Sequence, residues 1–121
     1  MNRRYRLTSA ADFQRVWRTG KSYAHPLVIC AVRANQRSHS RFGVTTKRKL
    51  GNAVERNRAR RRLRAALHHL QPDIADGWDI LVMARPACLH AEWTDILDGL
   101  SVLLKRAGLL EKEHERARGS T

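Results

Sequence analysis

Apolar positions along the chain fall into a few clear periodicities, and each predicts an element. Phe13, Val16 and Trp17 recur at i, i+3, i+4, the spacing that gathers side chains on one helical face. Thr8 or Ser9 offers an N-cap, Asp12 stands three residues after Ser9 as in a capping box, and Gly20 is a natural stop. A first helix of about three turns is expected here. Residues 23–32 read as one strand, with Pro26 limiting ladder pairing at its start. Leu27, Ile29 and Ala31 point one way along it and Val28, Cys30 and Val32 the other, so both of its faces should be covered. Polar residues 34–40 read as the hairpin loop into a second strand over 41–46, where Val44, Thr45 and Thr46 are β-branched.

A long helix follows from about Asn52 to Leu70, and Gln71-Pro72-Asp73 and Asp76-Gly77 supply turn chemistry after it. Residues 78–84 are a short apolar strand that Arg85-Pro86 ends. A last helix over about 91–107 carries Trp93, Ile96, Leu97, Leu100, Leu103, Leu104 and Ala107 as one stripe. The order α-β-β-α-β-α has no repeat or linker within it and points to one α+β sandwich. The domain is expected over 1–108, with 1–7 as a basic arm and 109–121 as a charged, flexible tail.

Length and composition narrow the class. At 121 residues the chain holds one modest core, and 42% apolar residues suffice for a globular fold. The longest apolar runs, 27–32 and 80–84, are far too short to span a bilayer. The basic N-terminus is followed by no apolar stretch, so no secretory signal is expected and the cytoplasm is the default location. Cys30 and Cys88 fit no metal-ligand spacing and read as small buried hydrophobes. Charge changes the picture most. Twenty-four Lys and Arg against eleven Asp and Glu give +13, a field that favours polyanions, nucleic acid first and anionic membrane second.

That charge is concentrated. Residues 47–64 hold Lys47, Arg48, Lys49, Arg56, Arg58, Arg60, Arg61, Arg62 and Arg64, opposed only by Glu55. At roughly 100° per residue, Ala59, Leu63, Ala66, Leu67 and Leu70 form a core-facing sector. Asn57 and the arginines fan around the rest, and Arg56 sits at the sector's edge, able to pack its stem and still show its guanidinium. The long helix holds six arginines and no lysine, a bias that suits phosphate, which Arg holds through two parallel hydrogen bonds. A DNA recognition helix is the physical rival, but no short helix and tight turn is visible before Asn52.

Residues 41–64, and above all Gly51-Asn52-Ala53-Val54 followed by Arg56-Asn57-Arg58 and further basic positions, closely resemble the signature of the bacterial ribonuclease P protein family. The likeness extends upstream to Phe13-Gln14-Arg15-Val16-Trp17 and Gly20 and downstream through the 78–86 strand and the last helix. The resemblance implies a mainly antiparallel sheet of about four strands with three helices, and a left-handed β-α-β crossover against the general right-handed rule. It implies that the loop residues Lys47 and Arg48, together with Asn52, Arg56, Asn57, Arg58, Arg60, Arg61 and Arg64, meet the catalytic RNA. It further implies that Phe13 and Trp17 line a cleft for the single-stranded 5′ leader of precursor tRNA, where aromatic faces beside basic residues suit unpaired bases. This chain departs from the family in two places. Cys30 is expected at a cleft position where relatives can carry an aromatic, and Ala65 follows Arg64 where an acid is common.

Nothing in the sequence marks a protein active site. His68 and His69 are adjacent and diverge by about 100°, and Asp73, Asp76 and Asp79 read as caps and solvated charges. A protein metallonuclease needs clustered acids, and no metal ligands are assigned. The resemblance implies a division of labour: Mg²⁺ is held mainly by the RNA subunit and none by the protein alone. The partners it implies are ribonuclease P RNA and precursor tRNA, with one monomeric protein per RNA and no membrane. A ribosome-associated or general RNA chaperone is the alternative, and a DNA-binding regulator the more distant one.

Overall fold

The computed structural model describes residues 3–110. The first helix, α1 (Ala10–Thr19), begins where Ser9 Oγ accepts the N–H groups of Ala11 and Asp12 at 3.1 and 3.3 Å, which satisfies two otherwise unpaired donors. It stops at Gly20 without a left-handed residue. A Cβ there would lie 2.4 Å from the Val32 carbonyl oxygen, so only glycine lets the helix end press onto the sheet.

The expected strand over 23–32 is two strands, β1 (Lys21–Ala24) and β2 (Val28–Ala34), which form an antiparallel hairpin. Pro26 has no N–H to offer a ladder, and it sits in the turn. There His25 Nδ1 accepts the Leu27 N–H at 3.1 Å, and the His25 N–H donates to the Val28 carbonyl at 2.9 Å. β3 (Arg41–Thr45) is not the hairpin partner of β2 either. The strand order is β1-β2-β4-β3, with β4 (Trp78–Ala84) antiparallel to β2 and parallel to β3. The loop after β2 therefore leads across the sheet, and β3-α2-β4 is a β-α-β unit wound through α2 (Ala53–Leu70). β4 is apolar on both faces and takes the central place that residues covered from both sides favour.

Alternation in the strands sends Val28, Cys30, Val32, Phe42, Val44, Ile80, Val82 and Ala84 to one face. There they form the main core with Leu63 and Leu67 of α2 and with Ile96, Leu100, Leu103 and Leu104 of α3 (Trp93–Arg106). Ala31 and Leu81 point to the other face and meet Leu7, Val16 and Phe13 in a small second core under α1. Gly43 makes that layer possible, because a Cβ there would sit 2.9 Å from Phe13 Cε1 and 3.0 Å from Leu7 Cβ. α3 starts later than the pattern suggests, a 3-10 segment over Pro86–His90 having taken up the preceding chain. Trp93 falls on its first turn and stays exposed rather than joining the stripe.

The ends differ from expectation as well. The described part of the basic arm is docked: Arg6 bridges Phe42, the Leu7 N–H donates to the Phe42 carbonyl at 2.8 Å, and Leu7 is buried. Leu109 and Leu110 are buried and Leu110 bridges Ile74, so the packed body passes residue 108. The rest of the expected tail, from 111, lies outside the described residues, as do residues 1 and 2 of the arm. Among the described residues no helix is long and apolar enough to cross a membrane.

Candidate nucleic-acid interface

Asn52 builds the start of α2. Its Oδ1 accepts the Glu55 N–H at 2.8 Å, and Glu55 Oε1 accepts the Asn52 N–H at 3.1 Å. This closes a capping box and employs the only acid of the helix as a cap rather than as a partner for its arginines. Ala59, Leu63, Ala66, Leu67 and Leu70 are its buried residues, the same five that the helical wheel selects.

The arginines divide into three kinds. Arg56 is turned inward: its guanidinium donates to the carbonyls of Arg48 and Gly51 at 3.1 and 2.6 Å, which fixes the basic loop over Lys47, Arg48 and Lys49 against the helix. Arg62 likewise reaches the carbonyls of Cys88 and Ala91 and ties α2 to the chain before α3. Arg60 is intermediate, donating to Thr46 Oγ1 at 2.9 Å and to Asn57 Oδ1. Arg58, Arg61 and Arg64 are exposed, and no hydrogen bond or ion pair joins them to any described residue.

Asn57, Arg60, Arg61 and Arg64 line one open groove of about 370 Å³ together with Val54, which is 74% exposed. At 100° per residue these five span about 120° of the helix, and no acid lies among them. Arg58 faces away, into a separate cleft with Arg62, Cys88 and His90. The charge around α2 also includes a residue from outside the motif. Burial, then the charges of Arg6 and Arg60, lower the affinity of Arg64 for its proton, so Arg6 of the docked arm lies within electrostatic reach of Arg64. Sequence reading misses Arg6 because only the Arg6–Phe42 bridge, a contact 36 positions apart, brings it there.

On the opposite face, α1 separates its two aromatics. Phe13 packs half-buried on the small core, whereas Trp17 is 42% exposed. Cys30, expected in this cleft, is instead wholly buried in the main core on the far side of the sheet. Strand parity decides this: residues facing α1 from β2 are odd-numbered, and Ile29 is the neighbour that does so. Ala24, Ile29 and Thr45 share the α1 side of the sheet and remain half-buried or exposed.

Asp79 is not a solvated charge. It is 4% exposed on β4 and accepts from Arg41 Nε at 2.9 Å, from an Arg41 terminal nitrogen at 2.8 Å and from Asn35 Nδ2 at 2.9 Å. Burial raises its pKa, but the hydrogen bonds from Arg41 and Asn35 outweigh that and hold it below the usual carboxylate range. Arg41 also approaches Asp12 at 3.6 Å, which ties α1 to the sheet. Among the described residues no group of three or more His, Cys, Asp or Glu is placed to hold a metal ion. What precedes α2 is a single 3-10 turn, Arg48–Leu50, following a strand, so a helix-turn-helix is absent from the described residues.

The sequence profile of the family described as Ribonuclease P matches residues 1–108. The chain is 37% identical over 109 residues to the ribonuclease P protein component of Herpetosiphon aurantiacus, covering 90% of this chain and 89% of that one. It is 40% identical over 114 residues to the corresponding protein of Symbiobacterium thermophilum, covering 93% and 99%. Its fold superposes on the solved structure of the Staphylococcus aureus RNase P protein with a TM-score of 0.79 at 32% identity, covering 88% of this chain and 98% of that one.

Proposed function

The chain belongs to the ribonuclease P protein family, and from that premise we infer how its surfaces serve the holoenzyme. It is the protein subunit of an endoribonuclease that removes the 5′ leader of precursor tRNA, with catalysis carried by the RNA subunit. Its own work is binding. The observation that supports our reading most is the acid-free groove of Asn57, Arg60, Arg61 and Arg64 on α2, which we assign to phosphates of the catalytic RNA. Lys47 and Arg48 extend it along a loop that Arg56 holds in place, and Arg6 adds its charge within reach of Arg64. Arg58 contacts RNA from the other flank, and Asn52 acts as the cap that sets the direction of the helix.

The single-stranded leader lies along α1 on the other face of the sheet, with Trp17 as the stacking surface and the half-buried Phe13 beside it, packed on the small core. A base on an exposed indole is sequence-tolerant, as suits leaders of many sequences. One protein binds one RNA, in the cytoplasm. Mg²⁺ is held by the RNA subunit, where it supplies the Lewis acidity of phosphodiester hydrolysis. The protein contributes cationic charge that lowers the Mg²⁺ needed to bring substrate and catalytic RNA together.

Reconstitution tests this reading. Purified chain, ribonuclease P RNA and 5′-labelled precursor tRNA are combined at low Mg²⁺, with each macromolecule also omitted in turn. Cleavage at the mature 5′ end should require both RNA and protein. Unstimulated cleavage, with equally tight binding to unrelated RNA, would favour the chaperone reading instead.

A further inference from the structure

The packed body runs to Leu110, and its last pairing sets a direction. Leu110 is buried and forms an antiparallel bridge with Ile74, and the Ala75 N–H donates to the Leu109 carbonyl at 2.8 Å. Antiparallel pairing carries the two segments past each other, so the chain leaving Leu110 is aimed back along Asp73, Pro72 and Gln71 toward the end of α2. Gln71, Pro72 and Ile74 line an open cleft of about 560 Å³ that also holds Arg4, His68 and one acid, Asp76. His68 stands one turn beyond Arg64 on α2, about 6 Å along the axis. Arg64 in turn lines the acid-free groove with Arg60 and Arg61. The cleft therefore leads from the end of the body to the groove.

The sequence past Leu110 is acidic at alternate positions, Glu111, Glu113 and Glu115. Three of the eleven acids of the chain thus fall within five residues, next to a groove that has none. Extended backbone sends alternate side chains to one side, which would present these three carboxylates together and turn Lys112 and His114 away. Five extended residues reach about 17 Å, enough to pass Pro72 and Gln71 and arrive at His68 and Arg64. The cations they would meet are available: Arg61 and Arg64 are exposed, and neither is joined by hydrogen bond or ion pair to a described residue.

We propose that segment 111–115 folds back over the end of α2 in the free protein and pairs with Arg61 and Arg64, an intramolecular stand-in for RNA phosphate. The proposal rests on the assignment of that groove to RNA phosphates. Its tether to Leu110 keeps the local concentration of the segment at the groove high, so weak pairs suffice. Displacing it weakens every RNA by the same factor. Catalytic RNA, bound along α2 and the Lys47 loop, stays saturated, whereas loosely held RNA is shed.

Full-length chain is titrated at low salt with a labelled oligouridylate and with ribonuclease P RNA. Wild type is compared with Glu111→Gln/Glu113→Gln/Glu115→Gln and with Glu92→Gln/Asp95→Asn/Asp98→Asn, which makes the same charge change at exposed residues of α3 and its N-cap. Arg61→Ala/Arg64→Ala is measured alone and combined with the first triple variant. An exposed ion pair is worth a factor of about three, so losing two of them should let the 111–115 variant bind both RNAs about tenfold tighter than wild type. The α3 variant should gain about twofold at most, through long-range charge alone. Without Arg61 and Arg64 the gain from the 111–115 changes should fall to that of the α3 variant, the coupling expected of groups in contact. Equal gains in the two acid variants, or a gain undiminished without the two arginines, overturn the proposal. Unchanged RNA affinity in Arg61→Ala/Arg64→Ala alone overturns the groove assignment itself, and the proposal with it.

Discussion

Asp79 shows how much one residue can hold in so small a protein. It is a buried carboxylate that fixes Arg41 and Asn35 and, through Arg41, meets Asp12 of α1. Breaking a buried pair by removing one partner leaves the other charge uncompensated, so Asp79→Ala should cost about 3 kcal/mol of unfolding free energy in denaturant titrations at pH 7. The pH dependence follows from the lowered pKa. A depressed carboxylate stabilises the fold fully above its unfolded value of about 4 and loses that contribution as pH falls through its folded value. Asp79→Asn should therefore give a flatter stability curve than wild type below about pH 4, and parallel curves would exclude Asp79 as the acid-sensitive group. The cysteines make a second residue-scale case. Burial pushes the Cys30 thiol up to about 12 and raises that of Cys88, so neither offers thiolate at neutral pH. Both should resist a thiol reagent in the native protein and react in denaturant; labelling of Cys30 in the folded chain would contradict its place in the core.

At the scale of elements, α2 separates residues that build the helix from residues that use it. Asn52 closes the capping box, whereas Arg61 touches no described residue by hydrogen bond or ion pair. Asn52→Ala should lower stability by about 1 kcal/mol. Arg61→Ala should leave the melting temperature unchanged, weaken association with ribonuclease P RNA and reduce its salt slope by about 1. The reverse pattern, a destabilised Arg61→Ala with an unaltered slope, would remove Arg61 from the interface. Arg56→Ala should affect both measurements, because its guanidinium holds the carbonyls of Arg48 and Gly51 and thereby the Lys47 loop. On α1 the same division falls between Phe13, packed on the small core, and Trp17, exposed. Loss of the indole in Trp17→Ala should cost about 1–3 kcal/mol in binding leader-bearing precursor, if a base stacks there, and nothing for a leaderless one.

For the whole molecule, the two faces of the sheet carry different duties. α2 and α3 close the main core and α2 turns its arginines outward, while the thin α1 layer leaves part of the opposite face open. With a net charge of +13, association with catalytic RNA should be steered over long range and steeply dependent on salt. If about six phosphates are neutralised, affinity should fall by orders of magnitude between low and physiological salt; a flat response in a filter-binding series would contradict the electrostatic interface.

Local patterning was enough to define the helices and the chemistry of the main interface. Heptad-like spacing sends Ala59, Leu63, Ala66, Leu67 and Leu70 inward and leaves the arginines outside, because a helix's faces are set by residues three and four apart. The motif 51–64 carries the family with it for the same reason, being contiguous. Pairing between strands is not local, and there the sequence was silent or misleading. The break at Pro26, the insertion of β4 between β2 and β3, and the placing of Cys30 on the main-core face depend on register and strand order, where a shift of one residue reverses every side chain. Asp79 read as solvated because its partners Asn35 and Arg41 are 44 and 38 positions away. Arg6 comes within electrostatic reach of Arg64, and Lys21, Arg33, Tyr23 and Trp78 meet in one pocket, only once the sheet has assembled. Periodicity along the chain determined what each element is, and long-range contact in the folded sheet decided which of their residues meet.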